Sequence, residues 1–418
     1  MLRLAEGAMK KILDGVIVLD LTRFFSGPQA TLFLAGLGAE VIKIDDPATG
    51  DPTAFAPPFA GPEGVSFQRQ SDEDMGIAYL KRARGKKSVT LNLKSAEGRA
   101  IFLRMVAAAD VVIENFSAGV ADRLGVGYDK LREANPGIVH CGLTGYGATG
   151  PDRHLKAYDL MVQAAVGMMS ITGRSKDGPM KAGSPLSDAI AGTFAAMGVV
   201  SALYHRKNTG EGQTVDVSMG DCLFSLLFDE PLDCYERLGM QFQQGNRIMR
   251  FSPFNAYPTT DGWVTIGTAS QAEWLALLKV MERPELAQDK EFVEVGARIA
   301  NNALIDGLVG GWTRGLTTEE VLRRLEAACV PSSPVRSIDQ VMQWRQLRER
   351  DMIMPLVNPL AQGPIDVSAP GFPLKFSAAP AGYDAPAPLP GAHTAEVLTR
   401  LGGVDEAAID KLKRAGVI

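Results

Sequence analysis

A chain of 418 residues is long enough for two or three domains with buried cores. Apolar residues make up 46% and charged residues 22%, as in an ordinary globular protein, and a net charge of −5 argues against nucleic acid as the main partner. No stretch of about twenty uninterrupted apolar residues occurs, and residues 1–11 lack an apolar run of signal-peptide length, so neither a membrane span nor an export signal is expected and the chain reads as cytoplasmic.

The first 145 residues alternate between two hydrophobic periods. Val16–Leu19 is a short apolar run that ends at Asp20, and Ser26-Gly27-Pro28 then opens a helix, with serine suited to the cap and proline to the first turn. That helix runs to about Ala35 and stops at Gly36 or Gly38. Val41–Ile44 and Ser88–Leu93 read as the next strands, and Ser95 starts a helix with an apolar face at Ile101, Met105 and Ala108. Val111–Ile113 and Ile138–Leu143 complete the series. Strands alternating with helices predict an α/β fold with a parallel sheet covered on both faces and right-handed crossovers. Ligands on such sheets bind beyond the carboxyl ends of the strands, where Asp20, Asn92, Asn115 and Thr144 fall.

Asp51–Gly76, rich in proline, glycine and acid, reads as a long excursion. Ala189–Leu203 reads as a buried core helix, and a turn at 208–212 precedes a strand at Thr214–Ser218. From Leu223 to Ala328 the pattern turns helical, with one hairpin around Pro258–Trp263. The tail from Pro355 to Pro390 reads as extended, followed by helices at Thr394–Leu401 and Glu406–Ala415. The expected division is a large domain over 1–222, a smaller α+β domain over 223–328, and a return over 329–418 that completes the large one.

Few motifs carry chemistry. The four cysteines and four histidines lack metal-ligand spacing, so free thiols and no metal are expected. Gly145–Gly150 spells Gly-x-Gly-x-x-Gly after a strand, but Pro151-Asp152-Arg153 interrupts the helix that should follow. Ser170 and Ile171 stand where an acid should hold a ribose, so nicotinamide binding is rejected. Lys81, Arg82, Arg84, Lys86 and Lys87 read as a solvated turn, with attraction of a polyanion as the sharper alternative. Lys94, Asn115 and Arg123 are candidates to converge on one anion. Phe24 and Phe25 are either core residues or walls of an acyl pocket. Asp188, among small residues with no lysine or arginine within five positions, is either a helix cap or a carboxylate nucleophile approached closely by a bulky substrate.

The order of short motifs resembles the class III CoA-transferases, the family of formyl-CoA:oxalate and carnitine CoA-transferases. The likeness runs through Leu13-Asp14-Gly15, Val18–Thr22, Ser26-Gly27-Pro28, Gly38–Ile44 and Gly85–Ser88. It continues through Asn92-Leu93-Lys94, Glu114-Asn115-Phe116, Arg123-Leu124-Gly125, Gly145-Tyr146-Gly147, Asp188, Gly212–Met219 and His393-Thr394. The resemblance implies a Rossmann-like large domain built from both chain ends, a smaller domain, and two subunits interlocked like links of a chain. It places the nucleophilic aspartate on Asp188 and the CoA contacts on Leu91, Asn92, Lys94, Asn115, Phe116, Arg123, Lys156, Tyr158 and Asp159. It places the substrate pocket at Phe25 and Ser26, and at a loop near Gly245 and Asn246 that keeps only one of the family's glycines. Phe25 and Asp46 replace a glutamine and an arginine of formyl-CoA transferase, the first implying a more apolar acceptor than oxalate. No permanently bound cofactor is implied; acyl-CoA is a substrate, and the chain forms a homodimer or pairs with a paralogous subunit. An α-methylacyl-CoA racemase shares the fold, but Ala157-Tyr158-Asp159 lacks the histidine base such enzymes carry there, and His154 lies too early. A non-catalytic subunit of a heteromeric transferase is the remaining alternative, opposed by the presence of Asp188.

Overall fold

The apolar runs pair into one parallel sheet of six strands, β1 (Ile17–Asp20), β2 (Glu40–Asp45), β3 (Lys86–Thr90), β4 (Val111–Glu114), β5 (Val139–Thr144) and β6 (Thr214–Ser218). The computed structural model describes residues 9–361 and 364–418. The strand order β3-β2-β1-β4-β5-β6 is that of doubly wound dinucleotide folds, and it reverses between β1 and β4. Side chains alternate between the faces. Val18, Val41, Val111, Ile113 and Cys141 join one core, and Leu19, Ile42, Ile44, Val89 and Val112 join the other.

Helices α1 (Ser26–Gly36) and α4 (Leu186–Thr209) cover the first face, and α2 (Ala96–Ala107) covers the second. Ser95 caps α2 as expected, its hydroxyl accepting from Gly98 N–H at 2.9 Å. Its buried face runs through Ile101, Phe102, Met105 and Val106, whereas Ala108 follows the helix and is exposed. Strand β3 begins two residues before the expected Ser88, because Lys86 pairs with Val41 in the ladder and its ammonium finds a carboxylate inside the fold. Within the described residues α4 is the one helix long and apolar enough to cross a membrane. Its Ala191, Ala195, Val199 and Ala202 are buried in the core of the first face.

The excursion after β2 is folded rather than open: Phe59–Gly61 pairs antiparallel with both Gly64–Ser66 and Met75–Gly76. The C-terminal segment returns to this part of the chain. Ile353–Val357 pairs antiparallel with Pro364–Pro370, helix α5 (Thr394–Gly402) buries Val397 and Leu398 in the second core, and the Val417 carbonyl accepts from Asn92 N–H at 2.8 Å.

The chain divides into two compact units. The first holds residues up to Met168, Ala182–Glu230 and Arg345–Ile418, and the second Met169–Lys181 with Pro231–Trp344. The second unit has a separate core around Tyr257, Trp274, Ile305 and Val321, beside an antiparallel sheet of Phe254–Pro258, Trp263–Gly267 and Ser332–Pro334.

Candidate active site

At the reversal point of the sheet the chain leaves β1 through Thr22–Phe25 and leaves β4 through Asn115–Ala118. A cavity of about 290 Å³ opens there, lined by Phe24, Ser26, Asn115–Ala118, Thr144, Arg153, Lys156, Tyr158 and Asp188, among others.

The first loop is held from beneath by buried charges. Asp20 accepts from the Thr22 N–H at 2.9 Å, the Thr22 hydroxyl at 2.6 Å and the Thr31 hydroxyl at 2.6 Å, and pairs with the Lys86 ammonium at 3.1 Å. Lys43 donates to the Thr22 carbonyl at 2.8 Å and pairs with Asp45 and Asp51 at 3.1 and 2.9 Å. Buried charges are tolerated when partnered in this way. Lys86, only 4% exposed, and Arg84, only 6% exposed, therefore correct the reading of 81–87 as a solvated turn. From the other side the Asn115 side chain accepts from Arg23 N–H at 2.9 Å and donates to the Arg23 carbonyl at 2.8 Å.

Asp188 is the third residue of α4, whose N-cap is Pro185, so the carboxylate does not cap the helix. Nor does Ser26 cap α1; it is the first helical residue, where its N–H has no intrahelical acceptor. The Ser26 hydroxyl and N–H instead favour the charged form of the Asp188 carboxyl across the helix interface. Gly192 permits this approach, since a Cβ there would stand 2.6 Å from the Ser26 carbonyl. Burial pushes the Asp188 carboxyl up to about 6; Ser26 and the Arg82 charge oppose the shift and the Asp159 charge adds to it. At neutral pH the group is mostly ionised, only partly solvated, and faces the cavity.

Asp159 plays a different part. At the start of helix α3 (Asp159–Ala165) it accepts from Ser187 N–H at 2.8 Å, the Ser187 hydroxyl at 2.7 Å and the Gln163 amide at 2.7 Å. These bonds anchor the residue just before Asp188. Tyr158 packs edge-on against Phe24, with centroids 6.3 Å apart at 84°.

Among the expected CoA contacts, Asn115, Phe116, Lys156 and Tyr158 line the cavity with Asp188. Leu91 has its side chain in the second core. Asn92 accepts from Lys94 N–H, and the Lys94 ammonium pairs with Asp46 at 2.9 Å, so the Asp46 charge is balanced within the chain. Arg123 is exposed on the short helix Val120–Leu124. Lys94 and Arg123 are not among the residues lining the cavity that contains Asn115, so the expected convergence of the three on one enclosed anion site is not seen. Phe24 lines the cavity, whereas Phe25 lies under the Arg82 guanidinium at 4.0 Å. Gly245 and Asn246 belong to the second unit, where Gly245 N–H donates to the Gly173 carbonyl and Asn246 borders a groove with Arg174 and Trp263.

The profile of CoA-transferase family III matches residues 13–394. The chain belongs to that family. The transferase is 34% identical over 412 residues to succinyl-CoA:mesaconate CoA-transferase of Haloarcula marismortui, covering 95% of this chain and 97% of the relative. It is 37% identical over 384 residues to acetyl-CoA:oxalate CoA-transferase of Acetobacter aceti, covering 91% and 92%. A crystal structure of a CaiB/BaiF family protein from Brucella suis superposes with a TM-score of 0.79 at 30% identity, over 94% of this chain and 100% of that one. As a class III CoA-transferase, the protein moves coenzyme A between acyl thioesters and carboxylic acids.

Two features of the transferase escaped the sequence. Arg82 belonged to a basic run whose spacing gave no reason to separate it from its neighbours. A second cavity of about 290 Å³ shares Phe116–Ala118 and Thr144 with the first, and is walled by Glu114, Tyr128 and His140. There burial pushes the Glu114 carboxyl up to about 7 and the His140 imidazole down to about 4, so both are held toward their neutral forms. No local pattern marks that pair, which meets only because β4 and β5 are neighbours in the sheet.

Proposed function

We propose that the transferase carries its acyl group on Asp188 and passes CoA to a free acid in covalent steps. The Asp188 carboxylate attacks the thioester carbonyl; the C–S bond breaks, CoA leaves as its thiolate, and an aspartyl mixed anhydride remains. The thiolate then attacks the aspartyl carbonyl, releasing the first acid as a carboxylate and leaving aspartyl-CoA. An acceptor carboxylate reverses the sequence. Each step exchanges acyl derivatives of similar transfer potential, so no nucleotide is consumed, and one difficult exchange becomes several easier ones.

The observation that carries this reading is the position of Asp188 in the cavity at the sheet's reversal point, partly stripped of water and sharing the cavity wall with Ser26. A carboxyl near 6 is ionised at neutral pH yet less masked by solvent than a surface carboxylate. Its place in the first turn of a 24-residue helix favours the anion further. Lys156 and Arg153 on the cavity wall supply positive charge for the CoA phosphates, and Phe24 with Tyr158 supplies an apolar wall for the acyl chain. Remote binding of the nucleotide positions the reacting carbonyl. Succinyl-CoA, named for the Haloarcula relative, is the expected donor, and the acceptor has an apolar part that meets Phe24. The expected assembly is an interlocked dimer in the cytoplasm, for which light scattering would give the mass of two chains.

The test is transfer of CoA from succinyl-CoA to a panel of acids, followed by mass spectrometry of the CoA products. Hydroxylamine trapping during turnover should label Asp188. A label elsewhere, or transfer by Asp188→Ala at the wild-type rate, would refute the mechanism.

A further inference from the structure

Arg82 ends the short helix Ile77–Arg82, far in sequence from Asp188. Its Nη1 donates to the Phe24 carbonyl at 2.6 Å, and its guanidinium covers the Phe25 ring at 4.0 Å. No carboxylate lies within ion-pair distance of it among the described residues. Both its contacts thus go to one turn, the stretch between the end of β1 and Ser26.

That turn needs holding. Phe24 has φ 69°, the left-handed region that a bulky residue enters only under strain. Such strain persists where the surroundings over-determine it. Beneath the turn the Asp20 and Lys43 clusters fix Thr22, and Asn115 fixes Arg23. Tyr158 packs on the Phe24 ring, and Arg82 adds the bond to the Phe24 carbonyl and the cover over the Phe25 ring. The next residue is Ser26, whose hydroxyl and N–H serve Asp188, and Phe24 itself is a cavity wall.

We propose that Arg82 is a positioning residue, locking the Phe24–Phe25 turn through the Phe24 carbonyl and the Phe25 ring so that Ser26 holds the Asp188 carboxylate toward the cavity. The inference rests on Asp188 being the acyl-carrying group. A lysine could keep the charge but could not both cover a ring and donate along a fixed fork. The charge has a second consequence: Arg82 and Asp159 act on Asp188 with opposite sign, Arg82 favouring the carboxylate.

The experiment compares full-length wild-type protein with Arg82→Lys, Arg82→Gln and Asp188→Ala in steady-state transfer from succinyl-CoA between pH 5 and 8. Circular dichroism and calorimetric CoA binding check the fold. For Arg82→Gln, kcat should fall about ten- to a hundredfold. Its acidic limb of kcat/KM should rise by about half a unit to one unit, with KM for the thioester little changed. Arg82→Lys should show the same class of kcat loss with the limb in place. If Asp188→Ala abolishes transfer while both Arg82 variants match wild type in kcat and in the pH profile, the positioning role is overturned and the catalytic reading stands. If Asp188→Ala retains transfer, the catalytic reading falls and the inference falls with it.

Discussion

Two carboxylates stand on either side of the Thr22–Ser26 turn, and burial acts on them to opposite outcomes. Asp20 has no exposed surface, yet its carboxyl is held below the ordinary carboxylate value. Burial alone would raise it; Lys86, Lys43 and the hydroxyls of Thr22 and Thr31 more than offset that cost. Asp188 is half-buried, yet burial raises its carboxyl, because only Ser26 and Arg82 oppose that shift and the Asp159 charge adds to it. Partners, more than depth, decide the charge state. The first arrangement suits a scaffold and the second a nucleophile, and the fold sets both against a single turn.

The sharpest way to break the contrast is to delete the proposed nucleophile. Asp188→Ala should lower transfer by about 10⁴-fold or more while leaving CoA affinity within a few-fold, as measured by steady-state assay and calorimetry. Deleting the scaffold's partner should act on stability instead. Lys86→Met leaves Asp20 buried without its nearest cation and should cost about 3–5 kcal/mol, read as a fall in the urea midpoint. An unchanged midpoint would mean that the Asp20 cluster does not hold the turn. Ser26→Ala should be milder, lowering kcat/KM about tenfold through loss of a hydroxyl that favours the charged form of Asp188, and moving the acidic limb above 6.

The smallest effect tests the sign of the Asp188 shift. Its folded value near 6 lies above the ordinary 3.8, so the native state binds a proton more readily than the unfolded chain, and stability falls as pH rises from about 4 to 6. Asp188→Asn removes that loss. Its melting temperature should exceed wild type by about 2 °C at pH 8 and match it at pH 4. A variant less stable at pH 8 would contradict the raised value.

Much of the first unit was legible. The runs at Val16–Leu19, Val41–Ile44 and Val111–Ile113 became β1, β2 and β4, because a two-sided parallel sheet demands apolar residues in series. Ser95 announced α2 because a capping hydroxyl acts only on its own helix. The same reasoning failed at Ser26 and Asp188. Both stand at helix starts, but each meets the other rather than its own backbone, and local spacing cannot show a contact across more than 160 residues. The basic run failed for a related reason. Five cations in sequence resemble a solvated loop until the crossover that makes β3 turns Lys86 inward to Asp20 and Arg82 toward Phe24.

By itself the sequence determined the alternation of strands and helices, the breaks between them and the ordered motifs that mark the family, since these depend on hydrophobic period and on residues close along the chain. Tertiary structure alone decided which acid is neutralised and which faces the cavity. It likewise decided that Arg82 braces the Phe24 turn and that Glu114 and His140 share a wall. Those outcomes depend on which strands become neighbours, and electrostatic energy depends on distance through space rather than along the chain.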